Sequence, residues 1–230
     1  MINASLPSEL QLNEYAKTCP FWGGVPEFYT SEDRNNFYGK EAFTKYPFYW
    51  AYTNYFKPQS IVEIGVRNGY SLISMALGNS EKILIFTGKD NEQHHIVKTP
   101  YVLAVDNAEE ATFFNVEKWE SEYGLLGLHL FEGDSKNIAS LNVGFDLAHV
   151  DGNHTKEYCL NDLNLCWNSL NPGGILIVDD YIAVSIVKES VDQFYLNLDP
   201  ITVKEHSIYS GIYGGHFLIK KSEGVISNER

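Results

Sequence analysis

The chain has 230 residues, of which 44% are hydrophobic and 20% charged, so it can bury a sizeable core and has the composition of a globular protein. Its 17 basic and 30 acidic residues give a formal net charge of −13, which argues against nucleic acid or an anionic membrane surface as a partner. The start, MINASLPSELQLNEY, has neither a basic segment nor an apolar run, and no stretch approaches the roughly 20 apolar residues of a membrane span. We therefore expect a cytoplasmic protein without a signal peptide. Cys19, Cys159 and Cys166 show no metal-binding or disulfide spacing, and the last two are expected to be buried free thiols.

The N-terminal quarter is rich in aromatic residues: residues 21–56 hold 14 of the 32 in the chain. Such a density indicates a satellite core packed on the main domain, a cap that forms one wall of a ligand pocket, or both. Exposed rings there could equally form an interface between copies of the chain, so a homo-oligomer stays open. We assign 1–57 to this cap, 58–221 to the main domain and 222–230 to a tail.

After residue 57 the chain alternates between strand-like and helix-like segments. Short apolar runs predict five buried strands, SIVEIGV, YVLAVDN, LHLFEGD, FDLAHVD and GILIVDD. Helical spacing of apolar residues predicts helices over 155–170 and from about Ala183 to Leu198. PITVKEHSIY and GGHFLIKK read as two final strands. The alternation predicts an α/β fold with a mostly parallel sheet, an antiparallel pair at its end, and helices on both faces.

One segment, 81–100, interrupts the alternation between the first helix and the second strand, and it predicts a hairpin or a lid. It contains the pair His94-His95. Neighbouring side chains of an extended segment point in opposite directions, so a surface loop is a better interpretation than a metal site.

The stretch IVEIGVRNGYSLISMA, residues 61–76, begins as a strand and continues as a helix from about Ser71. Between them lie Glu63, Gly65 and Gly69. Ligands of open parallel sheets bind beyond the carboxyl ends of the strands, glycine allows close backbone approach, and a helix N-terminus directs N–H groups at an anion. The spacing E-x-G-x-x-x-G differs from the G-x-G-x-x-G of dinucleotide sites. By itself the turn is also compatible with a structural role.

The next two strands end in acidic residues at the same predicted rim. Asp106 ends the second strand, where a carboxylate can accept both ribose hydroxyls, and Asp134 with Ser135 follows the third. With this pattern, residues 58–221 resemble the class I S-adenosylmethionine-dependent methyltransferases, which have a Rossmann-like sheet. The resemblance implies that Glu63, Gly65, Gly69 and the helix start at Ser71 receive the methionine part of the cofactor. It also implies that Asp106 holds the ribose and that Asp134 with Ser135 lies beside the adenine.

The fourth and fifth strands end in FDLAHVDGNH and GILIVDDY, which place Asp151, His154, Asp179 and Asp180 at adjacent strand ends. Converging carboxylates repel each other without a cation, and oxygen ligands suit Mg²⁺. Such an ion would lower the pKa of a bound substrate hydroxyl, and His154 is the candidate general base, with Lys156 in reserve. Each residue alone has a structural alternative, such as a helix cap for Asp151; the set favours the metal.

The motif D-G-x-H, followed by a helix, N-P-G-G and a strand ending in D-D-Y, resembles the metal-dependent sugar O-methyltransferases and the cephalosporin-hydroxylase-like proteins. This resemblance implies Asp151, Asp179 and Asp180 as Mg²⁺ ligands and His154 as the base. It implies a small-molecule hydroxyl acceptor, such as a sugar or natural product. Catechol-type or phenol-type O-methyltransferases are a close alternative.

Three further functions compete with this hypothesis. A catalytically silent S-adenosylmethionine-binding module would share the cofactor residues without needing the acids. A dinucleotide oxidoreductase lacks support because the third fingerprint glycine is missing. A nucleic-acid methyltransferase is disfavoured by the net charge and by the absence of an N-P-P-Y turn.

Overall fold

The computed structural model describes residues 4–20, 22, 43–67, 69–86, 93–107 and 125–224. Within these ranges the helices are α1 (Glu9–Lys17), α2 (Tyr46–Phe56), α3 (Tyr70–Gly78), α4 (Lys156–Ser169) and α5 (Ser185–Asn197). The strands are β1 (Ser60–Ile64), β2 (Glu81–Phe86), β3 (Gln93–Asp106), β4 (Leu125–Glu132), β5 (Phe145–Val150), β6 (Leu170–Val178), β7 (Val203–Tyr209) and β8 (His216–Lys221). Short 3₁₀ turns lie at Phe43–Lys45, Ser135–Asn137 and Pro200–Thr202.

All eight strands form one sheet, whose long path runs β3-β1-β5-β6-β8-β7, with β4 and β2 both paired to β3. The pairs β3–β4, β1–β3, β1–β5 and β5–β6 are parallel, whereas β8 is antiparallel to both β6 and β7. The predicted mostly parallel sheet with an antiparallel pair at its end is therefore confirmed. Because parallel strands share a direction, the carboxyl ends of β1, β3, β4, β5 and β6 meet at one edge.

The inserted segment is a hairpin: β2 pairs antiparallel with Gln93–Lys98, the first half of β3, and the second half of β3 pairs with β1. Residues 87–92, which join the two strands, lie outside the described residues. The hairpin alternative is thus confirmed. The surface-loop interpretation of His94 and His95 was wrong, because their backbones pair with Ile85 and Leu84.

Helix α2 accounts for the C-terminal part of the aromatic segment. Pro47 stands in its first turn, where no intrahelical N–H is needed, and the helix ends at Lys57, in the left-handed conformation with φ 52°. Its rings join the same buried cluster as sheet and α3 side chains, so this part of the segment is core. The most deeply buried of them are Tyr49 and Tyr52, both 0% exposed. Residues 21 and 23–42, which belong to the same aromatic segment, lie outside the described residues.

The other face of the sheet is covered by α4 and α5. Every residue of β5 is buried, as expected for a central parallel strand, and α4 packs on it through Cys159, Leu163 and Cys166. The cysteines are buried free thiols, as the sequence predicted. Among the described helices, none combines the length and apolar character that a membrane crossing requires.

The contact between α2 and α3 depends on Gly78. A Cβ at this position would collide with Thr53 Oγ1 and with the carbonyl oxygen of Trp50. We expect Gly78→Ala to lower the free energy of unfolding by about 1–3 kcal/mol, because the helices must move apart. Thermal unfolding followed by circular dichroism would measure this. Glu189→Ala is the control, since Glu189 is an exposed residue of α5. Equal melting temperatures for the two variants would contradict the prediction.

Candidate active site

A cavity of about 250 Å³ lies at the carboxyl ends of β1, β3, β4 and β5. Its walls come from the loops that follow these strands. Five of the predicted site residues line it: Gly65, Asp106, Asp134, Ser135 and Asp151. The structure thus brings together residues that are up to 86 positions apart in the chain, for the topological reason that the sequence indicated. It also adds residues that the sequence analysis missed, namely Arg67, Asn153, Tyr158 and Asp162.

The carboxylate of Asp106 holds the glycine turn that follows β1. Both Val66 N and Arg67 N donate to Asp106 Oδ2, at 2.8 and 2.9 Å. Gly65 has a φ of 84°, and a Cβ there would collide with the backbone of Asp151, so this position requires glycine. Gly69, with a φ of 75°, is the N-cap of α3. Asp106 therefore ties two strand ends together at the cavity; its role toward a ribose stays a prediction.

Glu63 and Ser71 lie beneath the turn and do not line the cavity. Glu63 is 0% exposed; its Oε1 lies 2.9 Å from His149 Nδ1 and accepts a hydrogen bond from Ser71 Oγ. Their assignment as cofactor ligands stays a prediction. His149 was missed, although a signal existed: a histidine stands in the apolar run FDLAHV, and the structure places it directly across from Glu63 on the neighbouring strand.

The side of the cavity nearest β4 is organised around Asp134. Its Oδ1 accepts from Lys136 N at 2.9 Å, and its Oδ2 accepts from the Tyr158 hydroxyl at 2.8 Å. These two hydrogen bonds lower the pKa of the Asp134 carboxyl. The Lys136 ammonium lies 4.1 Å from the centre of the Tyr158 ring. Ser135 is buried behind them. Asp134, which the sequence predicted with Ser135 at the end of the third strand, is therefore held in place by Tyr158, a residue that the sequence did not indicate.

His154 stands at the rim between two acids. Its Nε2 lies 3.8 Å from Asp151 Oδ1 and 3.7 Å from Asp180 Oδ2, and its side chain is 40% exposed. The interaction with Asp151, followed by the charge of Asp180, raises the pKa of His154 above 6.5. Burial, followed by the charge of Asp179, raises the pKa of Asp151 to about 6. Thr155, not Asp151, is the N-cap of α4, so the helix-cap alternative for Asp151 does not apply.

Asp179 faces inward and is 2% exposed. Its Oδ2 pairs with the Lys45 ammonium at 2.5 Å and accepts from the Tyr49 hydroxyl at 2.9 Å. Its Oδ1 accepts from Asp180 N at 2.8 Å and lies 3.1 Å from His216 Nε2. Burial alone would raise the pKa of Asp179, but Lys45 and His216 hold it well below its usual range. Burial would lower the pKa of Lys45, yet Asp151 and Asp179 raise it, so the ammonium stays charged.

The three acids predicted as one metal site are divided between two groups. Adjacent residues Asp179 and Asp180 diverge because Asp180 has the left-handed φ of 56°. Within the described part of the chain, ligand atoms that lie within 4.8 Å of one another form an inner group, His149, Asp151 and Asp179, and an outer group, Asp151, His154 and Asp180. Asp151 belongs to both. The metal assignment of the three acids stays a prediction.

The burial of Asp151 beside other acids lowers the folding stability at neutral pH. The folded protein holds the Asp151 proton up to about pH 6, whereas the unfolded chain releases it near pH 3.8, so folding stability falls as the pH rises through this interval. We expect Asp151→Asn to melt at a higher temperature than the wild type at about pH 7.5, and the gain to shrink toward about pH 4.5.

Melting curves across this pH range would measure the effect. Asp192→Asn is the matched control, because burial of Asp192 is outweighed by its ion pair with Lys188 and its pKa is lowered. That variant should gain no stability at neutral pH. An Asp151→Asn protein that is less stable than the wild type at about pH 7.5 would show that the carboxylate stabilises the fold.

Comparison with known proteins agrees with this geometry. Residues 62–181, about half of the chain, match the family described as "Methyltransferase domain". Among solved structures, the S-adenosylhomocysteine-bound methyltransferase PaMTH1 of Podospora anserina has a TM-score of 0.60 at 17% identity, covering 96% of this chain and 99% of that one. The S-adenosylhomocysteine-bound O-methyltransferase of Bacillus cereus has a TM-score of 0.52 at 16% identity, covering 96% and 93%.

TomG of Streptomyces achromogenes, an O-methyltransferase of tomaymycin synthesis, was solved with S-adenosylmethionine. It has a TM-score of 0.54 at 12% identity, covering 96% of this chain and 92% of that one. At these identities the solved structures establish the fold, whereas the family match covers the glycine turn and the acids up to Tyr181. The chain therefore belongs to the methyltransferase-domain family and is a class I, S-adenosylmethionine-dependent methyltransferase.

Proposed function

We propose that the protein is an O-methyltransferase that transfers the methyl group of S-adenosylmethionine to a hydroxyl of a small molecule. The observation that carries this proposal is the position of His154. Its imidazole stands between the carboxylates of Asp151 and Asp180, and Asp151 itself lines the cavity. A base is thus held beside the space assigned to the cofactor, at the open edge of the sheet.

The cavity suits the cofactor in both shape and chemistry. Gly65, Asp106, Asp134 and Tyr158 line its walls. We assign the ribose to Asp106 and the adenine to Asp134 with Ser135. The N-terminus of α3, which is capped by Gly69, supplies N–H groups for the carboxylate of the methionine part.

His154 would take the proton from the acceptor hydroxyl as the oxygen attacks the methyl group. Its neutral form is the base, and because its pKa is raised above 6.5, the fraction of neutral base grows as the pH rises through that higher value. Lys156 is the reserve base. It lies at the first position of α4 and is exposed. Of the two, His154 has the carboxylate partners that stabilise the imidazolium formed in the reaction.

Mg²⁺ dependence is part of the proposal. Asp151 and Asp180 offer carboxylate oxygens at the rim, which are ligands that a hard cation such as Mg²⁺ prefers. Their side chains are 23% and 20% exposed, so an ion can reach them from solvent. Asp179 could join them only if the Lys45 ammonium moved, because each of its oxygens already faces two donors. A bound Mg²⁺ would polarise the acceptor hydroxyl and lower its pKa.

A small-molecule acceptor is favoured by two further points. Several structural neighbours are O-methyltransferases, among them TomG and a putative caffeoyl-CoA O-methyltransferase of Staphylococcus aureus. The net charge of −13 disfavours a nucleic-acid acceptor. A sugar hydroxyl follows from the sequence resemblance, and a catechol or phenol is the alternative within the same mechanism.

The cofactor assignment is tested by Asp106→Ala. Loss of the carboxylate removes the acceptor of Val66 N and Arg67 N as well as the proposed ribose contact, so we expect S-adenosylhomocysteine to bind at least about tenfold more weakly. Calorimetric titration would measure the affinity. Glu132→Ala is the matched control, because it removes an exposed acid at the end of β4 and should leave the affinity unchanged. Equal affinities in the two variants would remove Asp106 from the site.

The reaction is tested with methyl-labelled S-adenosylmethionine and a panel of catechols, phenols and sugars, measuring label in the product. We expect His154→Ala to lower turnover by roughly 10²–10⁴-fold and Lys156→Ala to leave it near the wild-type value. Wild-type turnover should rise with pH through the raised pKa of His154, and this rise should be lost in His154→Ala. A slow Lys156→Ala variant beside a normal His154→Ala variant would transfer the base role to Lys156. Cofactor binding with no methylated product would favour the silent module.

A further inference from the structure

His149 is a buried base that the proposed reaction does not use. It is 0% exposed, Nδ1 is engaged by Glu63, and Nε2 has no hydrogen-bond partner among the described residues. A buried imidazole nitrogen without a hydrogen-bond partner destabilises the folded protein, so its persistence needs a reason. A ring nitrogen of His149 lies within 4.8 Å of carboxylate oxygens of Asp151 and Asp179.

The Glu63 contact prepares this ring for a metal. Metal-binding histidines usually donate their second ring N–H to a carboxylate, which fixes the tautomer and raises the basicity of the ligand nitrogen. Here Glu63 Oε1 lies 2.9 Å from Nδ1, and the Ser71 hydroxyl donates to the same oxygen. A neutral His149 with its proton on Nδ1, facing Glu63, has the lone pair of Nε2 available to a metal.

A cation already occupies the space between the two acids. Lys45 Nζ lies 2.5 Å from Asp179 Oδ2 and 3.8 Å from Asp151 Oδ2. The Lys45 side chain is 13% exposed, so its long stem has a route toward solvent. Departure of the ammonium would free a lone pair on Asp179 Oδ2, while Oδ1 would keep the Asp180 N–H that orients the carboxylate.

We propose that His149, Asp151 and Asp179 form an inner site for a divalent transition-metal ion such as Mn²⁺, and that this ion exchanges with the Lys45 ammonium. One imidazole and two carboxylates suit Mn²⁺, Co²⁺ or Zn²⁺ better than Mg²⁺, which prefers oxygen ligands alone. The inference goes beyond the Mg²⁺ site proposed at the rim, because the inner site has a different ligand set and shares only Asp151 with the outer group. It does not require that methyl transfer occur.

Nitrogen ligation is tested with Mn²⁺ added to the full-length protein saturated with S-adenosylhomocysteine. Pulsed electron paramagnetic resonance detects ¹⁴N coupled to the bound ion. We expect this coupling in the wild type and in His154→Gln, which removes the imidazole of the outer group and lies at the surface. A coupling that disappears in His154→Gln would place the ion in the outer group, and its absence from the wild type would exclude a histidine ligand. Either result overturns the inner site.

The exchange with Lys45 is tested by calorimetric titration of Mn²⁺ and Mg²⁺. We expect Lys45→Met to bind Mn²⁺ at least about tenfold more tightly than the wild type, because the competing ammonium is gone. Lys136→Met, which removes an ammonium beside Tyr158, is the control and should bind as the wild type does. Unchanged or weaker binding in Lys45→Met would contradict the exchange.

A third variant, His149→Gln, should lose the preference for Mn²⁺ over Mg²⁺, provided that its circular dichroism spectrum and melting curve show a folded protein. If it does not fold, the ¹⁴N coupling in His154→Gln and the Lys45→Met affinity still decide the proposal. These are measurements of metal binding, so a missing methyl acceptor would weaken the proposed function and leave this inference standing.

Discussion

The buried ion pair between Lys45 and Asp179 is the interaction on which the site depends. Lys45 precedes α2, the helix that carries the aromatic core, and Asp179 follows β6, so the pair joins the N-terminal part of the chain to the centre of the sheet. A carboxylate that is 2% exposed is tolerated only because donors surround it. The Lys45 ammonium of this pair also lies 3.8 Å from Asp151 Oδ2, and its positive charge stabilises the Asp151 carboxylate on the cavity side.

Around this pair, acids and histidines are arranged in two layers. The inner layer is buried, and its atoms without a hydrogen-bond partner among the described residues include His149 Nε2 and Glu63 Oε2, whereas the outer layer of Asp151, His154 and Asp180 is partly exposed. Asp180 reaches the outer layer because it adopts a left-handed backbone conformation next to Gly214 and Gly215. Sites that concentrate like charges in this way sacrifice stability for chemistry, and the pKa of Asp151 is raised by burial and then by the charge of Asp179.

Much of the fold follows from patterns within single segments. Continuous apolar runs identified the parallel strands, since these are covered on both faces, and helical spacing identified α4 and α5 within one or two residues. The rule that parallel strands end at one edge of the sheet predicts that Gly65, Asp106, Asp134 and Asp151 lie at one rim, and all four line the cavity. The segment 81–100 was ambiguous, because a short apolar run near a polar turn suits a hairpin as well as a lid.

The sequence by itself determined the fold class, the edge of the sheet at which the cavity lies and five of the residues that line it, because each depends on local periodicity and on strand direction. Only the tertiary structure decided which acids face which way. The opposite directions of Asp179 and Asp180 depend on one backbone torsion, and the role of Lys45 depends on packing across 134 positions of the chain. The pairing of Glu63 with His149 likewise depends on the register between β1 and β5. Such contacts join distant segments, so no spacing in the sequence encodes them.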